Sequence, residues 1–191
     1  MTIEYKTLLK PGEEEIVIEK SRFIGYASPV NSEEEALEFI EKIKSRHKDA
    51  THNVTAYVVG LHNEIQRYND DGEPAGTAGV PILEVIKKED LRNTVIVVTR
   101  YFGGIKLGAG GLIRAYTRGA KIAVEAAQVV HKRLNKIFEV VISYTLLGKV
   151  QNEIIQNGYL INEIKYDTLV RLFVFVPINK EEQFRKQVMD W

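Results

Sequence analysis

The chain contains no cysteine, which excludes disulfides and thiolate metal ligands and suits a reducing cytoplasm. No apolar run approaches the roughly 20 residues that a membrane-spanning helix requires. The opening MTIEYKTLLKPGEEE is acidic and has no apolar h-region, unlike a secretory signal peptide. The expectation is a cytoplasmic protein with no membrane contact. Net charge is also missing: 26 basic residues balance 26 acidic ones over 191 residues, which argues against bulk attraction to nucleic acid. Several catalytic signatures are absent as well. There is no H-E-x-x-H, no nucleophile elbow with a Ser-His-Asp order, and no thiol nucleophile. No metal, cofactor or reaction is indicated.

What is present is an ordinary globular composition, 45% apolar and 27% charged, with length enough for one domain or two small ones. The charges are unevenly spread. Met1 to Glu41 holds ten acids and four bases, whereas Leu91 to Phe138 holds nine bases and one acid, Glu125. The centre of that basic segment is TRYFGGIKLGAGGLIRAYTRG, from Thr99 to Gly119. Five glycines (Gly103, Gly104, Gly108, Gly110 and Gly111) separate an apolar strand from a helix-forming stretch, among Arg100, Lys106, Arg114 and Arg118. A glycine-rich turn that opens a helix leaves unpaired N–H groups at a positive dipole end. Arginines one turn apart add bidentate donors. The pattern points to an anion-binding surface, with an ordinary solvated helix face as the plainer alternative.

In chain order, Ile3–Leu9 and Glu15–Lys20 read as a hairpin around Pro11-Gly12, followed by a strand over Arg22–Val30. Ser32 and Glu35 form a capping box for a helix over roughly Ser32–Lys48. Val54–Gly60 and Ile65–Asn69 read as strands. A loop dense in Asp, Gly and Pro leads to a helix that begins near Pro81 and runs to about Asp90. Asn93–Phe102 reads as a buried central strand. A long helix over about Gly110–Val129 turns Leu112, Ile113, Tyr116, Ala120, Ala123, Val124 and Ala127 inward. The basic HKRLNK around His131–Asn135 marks a boundary, giving domains 1–134 and 135–191. Beyond it come strand Ile137–Thr145, helix Leu147–Gln156, strands Tyr159–Tyr166 and Thr168–Pro177, and a helix Asn179–Trp191 capped by Asn179 with Glu182. That order is β-α-β-β-α, a ferredoxin-like unit without its last strand.

The glycine stretch does not fit the P-loop, because Ala109-Gly110 replaces Lys-Ser/Thr. It also fails as a dinucleotide fingerprint, because Ile113 stands where the third glycine belongs. Asp70, Asp71 and Glu73 could hold a hard cation, but Asp-Asp-Gly-Glu-Pro is also what a tight turn prefers. His52 could serve as an acid–base group or as a structural hydrogen-bonder. Tyr101, Phe102 and Tyr116 lie among the basic residues, the mixture that stacks bases in single-strand binders, although Phe102 and Tyr116 suit a core equally well.

Two runs, RYNDDGEPAGTAGVPIL (Arg67–Leu83) and VIVVTRYFGGIKLGAGGLIRAY (Val95–Tyr116), together with Ser21-Arg22-Phe23-Ile24, His52-Asn53 and Ala56-Tyr57, resemble the IMPACT family, bacterial YigZ type. The resemblance covers nearly the whole chain. It implies an α+β protein: an N-terminal ribosomal protein S5 domain 2-like domain, in which two helices back a β-rich sheet, then a ferredoxin-like domain similar to a late domain of elongation factor G. The family's eukaryotic members are translation regulators. The resemblance brings no established catalytic residues, so the reading leans away from an enzyme.

Two expectations follow. The first is a binding protein that docks RNA or a ribosome-associated partner through Arg100, Tyr101, Gly103, Gly104, Lys106, Gly108, Gly110, Gly111, Arg114, Tyr116 and Arg118. The second is an enzyme on a phosphorylated small molecule or nucleotide that uses the same loop with His52, Asp70, Asp71 and Glu73. The two differ in whether the segment 70–73 folds within reach of the glycine loop.

Overall fold

The computed structural model describes residues 4–191, which divide into two compact units, 4–132 and 133–191. The fold is mixed α+β. Among the described residues no helix is long and apolar enough to cross a membrane.

In the first unit, β1 (Glu4–Leu8) is followed by β2 (Gly12–Ile18) and β3 (Ser21–Pro29). Helix α1 (Glu33–Arg46) starts at Ser32, whose hydroxyl accepts from the Glu35 amide at 3.2 Å. The Glu35 carboxylate in turn accepts from the Asn31 amide at 2.7 Å, closing a reciprocal cap one residue earlier than the usual box. Strands β4 (His52–Val59) and β5 (Ile65–Asn69), helix α2 (Gly79–Lys88), strand β6 (Thr94–Tyr101), helix α3 (Gly108–Ala127) and strand β7 (Val129–Arg133) complete it.

The main sheet has five strands in the order β2-β3-β6-β4-β5, all antiparallel. Its two faces are both buried, which accounts for the unbroken apolar run of β6. Successive side chains alternate across a strand. Val95 and Val97 therefore pack with Ile40 and Ile43 of α1, while Ile96 and Val98 pack with Ile82 and Ile86 of α2 and Ala120 and Ala123 of α3. The sheet is thus backed by two helices on one face, as the resemblance implied, and by α1 on the other.

The expected hairpin between residues 3–9 and 15–20 does not form (Ile3 lies outside the described residues). β1 pairs with β7 instead, and β2 pairs with β3. The Leu9 amide donates to the Gln128 carbonyl at 2.8 Å, so the chain leaves β1 against the end of α3. The Pro11-Gly12 pair marks that approach, not a hairpin turn: a Cβ on Gly12 would lie 2.3 Å from the Ala127 amide nitrogen. Helix α3 stops at Ala127 because Gln128 takes φ 61°. Ile113, expected inward, is 43% exposed, and the buried stripe runs instead through Leu112, Ala115, Tyr116, Gly119 and Ala120.

In the second unit, β8 (Asn135–Ile142), α4 (Leu147–Gln156), β9 (Leu160–Tyr166), β10 (Val170–Pro177) and α5 (Glu181–Asp190) give an antiparallel sheet in the order β8-β10-β9. That is the ferredoxin-like arrangement of its first three strands. Phe184 is its most enclosed aromatic, edge-on to Tyr159 and Trp191. Asn179 does not cap α5. A 3-10 turn over Ile178–Lys180 precedes the helix, which has no side-chain cap.

Candidate functional site

The register of the sheet sets the site. Phe23 of β3, Arg100 of β6 and His52 of β4 stand side by side as cross-strand partners. By the alternation they share the face that Ile96 and Val98 present to α3. Tyr116, two turns into α3, descends onto this row and meets Phe23 edge-to-face at 5.3 Å.

Glu73, from the loop between β5 and α2, enters from the side. Its Oε1 accepts from Arg100 Nη1 at 2.7 Å and from the Tyr116 hydroxyl at 2.6 Å. The side chains of Arg100 and Glu73 are only 6% and 4% exposed. The Arg100 guanidinium lies 5.5 Å from the centroids of both the Phe23 and Phe102 rings, and its Nε is buried without a partner. Burial, then the bond to the Glu73 carboxylate, pushes the Tyr116 phenol well above its usual range. It therefore remains a donor.

Asp70 and Asp71 do a different job. The Asp70 carboxylate accepts from the amides of Gly76, Ala78 and Gly79 at 2.9, 3.2 and 2.7 Å. It caps α2, whose own N-cap residue, Ala78, offers no side-chain acceptor. Asp71 accepts from the Asn53 amide at 2.6 Å and from Lys44 Nζ at 3.4 Å. Its carbonyl accepts from His52 Nδ1 at 2.7 Å. Among the described residues, no three His, Asp or Glu side chains converge as metal ligands.

The glycine turn folds over this cluster. Gly103 passes so close to the β2–β3 turn that a Cβ would lie 2.0 Å from the Lys20 carbonyl, and its amide donates to Ser21 Oγ at 3.1 Å. Gly104 and Gly108 take positive φ, of 89° and 68°. Gly110 and Gly111 lie inside α3, which has no side-chain cap and no acid in its first turn. A cavity of about 350 Å³ results, lined by His52, Glu73, Pro74, Arg100, Phe102 and Lys106 through Ala109, with Leu112.

The sequence grouped eleven residues on one basic surface, and the structure distributes them over three places. Arg100 and Tyr116 are in the buried cluster. Tyr101, one residue along β6, faces α1, where it bonds to His47 Nδ1 at 2.8 Å and donates to Asp49 at 3.1 Å beneath the Arg22 guanidinium. Lys106, Gly111, Arg114 and Arg118 line a separate groove of about 630 Å³ with Ile105, Leu107 and Glu19. Among the described residues, Lys106, Arg114 and Arg118 make no ion pair and no side-chain hydrogen bond. Of the 70–73 segment, Glu73 shares the cavity lining with Lys106 through Ala109, whereas Asp70 and Asp71 are committed to α2 and β4. Sequence reasoning placed Phe102 in the core or the stack. It is 47% exposed at the cavity mouth.

A family profile described as the Impact N-terminal domain matches residues 19–124 and spans every element of this site. The chain belongs to the IMPACT family. A second profile, a domain of unknown function (DUF1949), matches residues 140–191. The IMPACT family member YvyE of Bacillus subtilis is 51% identical over 96% of this chain and 85% of its own length. YigZ of Escherichia coli is 34% identical over 91% of this chain and 86% of its own. A crystal structure described as a hypothetical protein superposes over 100% of this chain and 93% of its own, with TM-score 0.68 at 31% identity.

Proposed function

We propose that this IMPACT-family protein is a translation-linked binding protein that docks single-stranded RNA along the outer face of α3. The observation that carries the reading is the set of unpaired cations, Lys106, Arg114 and Arg118, lining one groove. An exposed guanidinium with no carboxylate partner keeps its donors for phosphate oxygens. Arg114 and Arg118 stand one turn apart, about 6 Å along the helix axis, so each can hold a different phosphate of one strand. Neutral net charge limits the attraction to this patch, and the exposed Phe102 ring nearby offers a face for a base. Membership of a family whose eukaryotic members regulate translation supports RNA, or a protein carried on the ribosome, as the partner.

The test is binding of a short labelled single-stranded RNA across a salt series, wild type against Arg114→Ala/Arg118→Ala. Two lost phosphate contacts should flatten the log–log slope by about 1.4, at roughly 0.7 per contact. A wild type that fails to bind at low salt, or a double variant with an unchanged slope, removes RNA from the reading.

A further inference from the structure

The cavity beneath the glycine turn holds chemistry that RNA docking on α3 does not use. Glu73 is nine-tenths buried and both its hydrogen bonds fall on Oε1. Its Oε2 accepts none among the described residues and stands 3.8 Å from His52 Nε2. The His52 ring is oriented by a group that can only accept. The Asp71 carbonyl takes a hydrogen bond from Nδ1, so Nδ1 carries the proton and Nε2 of the neutral ring is left with a lone pair. Two acceptors, Glu73 Oε2 and His52 Nε2, therefore converge on one point of the cavity wall.

The same cavity also carries positive charge. Lys106 and the uncapped first turn of α3 line the same space, and the Arg100 charge balances Glu73 rather than leaving the carboxylate to repel an anion. Pro74, Phe102, Leu107, Ala109 and Leu112 supply apolar surface in the lining. A volume of about 350 Å³ lies at the small end of the roughly 300–1,000 Å³ range for ligand sites, too small for a dinucleotide.

We propose that this cavity binds a small phosphorylated organic compound bearing a hydroxyl or amino group. The phosphate sits on Lys106 and the α3 amides, and the hydroxyl or amine donates to Glu73 Oε2 and His52 Nε2. Glu73 Oε2 takes no hydrogen bond from the described residues at the cavity wall, and such a ligand supplies a donor there in place of water. The site shares Lys106, Leu107 and the Phe102 ring with the RNA-docking face but adds His52, Glu73 and Ala109, and it does not depend on that reading.

Calorimetric titration of the full chain tests it, with ribose phosphate, glycerol phosphate and adenosine monophosphate, each beside its unphosphorylated parent and inorganic phosphate. At least one phosphorylated compound should bind, its parent should not, and inorganic phosphate should bind more weakly. Glu73→Gln, which replaces the free acceptor by a donor, should weaken binding about tenfold or more. Ala109→Trp, which fills the cavity without touching a charge, should abolish it. Arg114→Ala/Arg118→Ala should leave ligand affinity intact, and Ala109→Trp should leave the RNA salt slope intact, so the two sites fail separately. Absence of binding by all three compounds at millimolar concentration overturns the proposal. So does inorganic phosphate binding as well as the esters, or Ala109→Trp binding like the wild type.

Discussion

Glu73→Ala probes the buried cluster most directly. The substitution removes the one acceptor shared by Arg100 and Tyr116 and leaves a guanidinium in surroundings that are 6% exposed. Breaking a buried ion pair from one side costs about 3–5 kcal/mol, because the remaining charge keeps its desolvation penalty and loses its partner. In a domain of this size that corresponds to a fall in Tm of roughly 10–15 °C. Glu73→Gln should cost less, about 1–2 kcal/mol, since an amide oxygen still accepts from Arg100 and Tyr116 but without the charge. Replacing both partners, Glu73→Leu with Arg100→Met, should recover most of the loss, because apolar packing substitutes for a buried pair at little net cost. Urea unfolding followed by far-UV circular dichroism reads all three, with m unchanged if only stability moves. A loss below about 1 kcal/mol for Glu73→Ala would refute the reasoning. It would mean that water entering from the adjacent cavity solvates Arg100, and that the pair is not electrostatically dry.

Two further outcomes are expected. Gly103→Ala should destabilise by at least about 1–3 kcal/mol through its clash with the Lys20 backbone, whereas Gly110→Ala, inside α3 with only the flexible Arg114 side chain near, should stabilise by about 0.5–1 kcal/mol; thermal melts separate the two. His47 bonds to Tyr26 at 2.6 Å and to Tyr101 at 2.8 Å. Burial, then the neighbouring Arg46 and, more weakly, Arg22, hold its pKa below 6.5 against the opposing pull of Asp49 and Glu13. The unfolded chain then takes up a proton before the folded one, so stability should be full above 6.5 and fall as pH drops from there toward the folded value. Denaturation at a series of pH values, wild type against His47→Gln, checks it: a variant retaining the same slope through that window would assign the effect to other groups.

The local elements were legible because their signals are local. Ser32 and Glu35 marked the start of α1, and the apolar run of β6 marked a strand covered on both faces. The partner of β1 was not legible: β7 lies more than a hundred residues away, and a Pro-Gly pair reads alike whether it turns a hairpin or lets the chain pass close to a helix end. The site was half legible. The glycine stretch and the acidic loop both stood out, but their meeting depends on the β4–β6 register that sets His52 beside Arg100. Strand alternation alone was enough to put Arg100 and Tyr101 on opposite faces, a signal present in the sequence. Asp70, Asp71 and Glu73 have the same chemical type and adjacent positions. Only the fold tells which of them caps a helix, which braces a strand and which faces a cavity.

The two-sided burial of β6 bears on how freely this site can vary. A slip of one residue would bring Arg100 among the apolar side chains that α1 covers and send Val97 and Tyr101 to the opposite face. Every valine that packs correctly therefore also votes for the position of the guanidinium. The hydrophobic core acts as an error check on the charges, and a lineage could not drift to a displaced version of the cluster through a series of small, separately tolerable shifts.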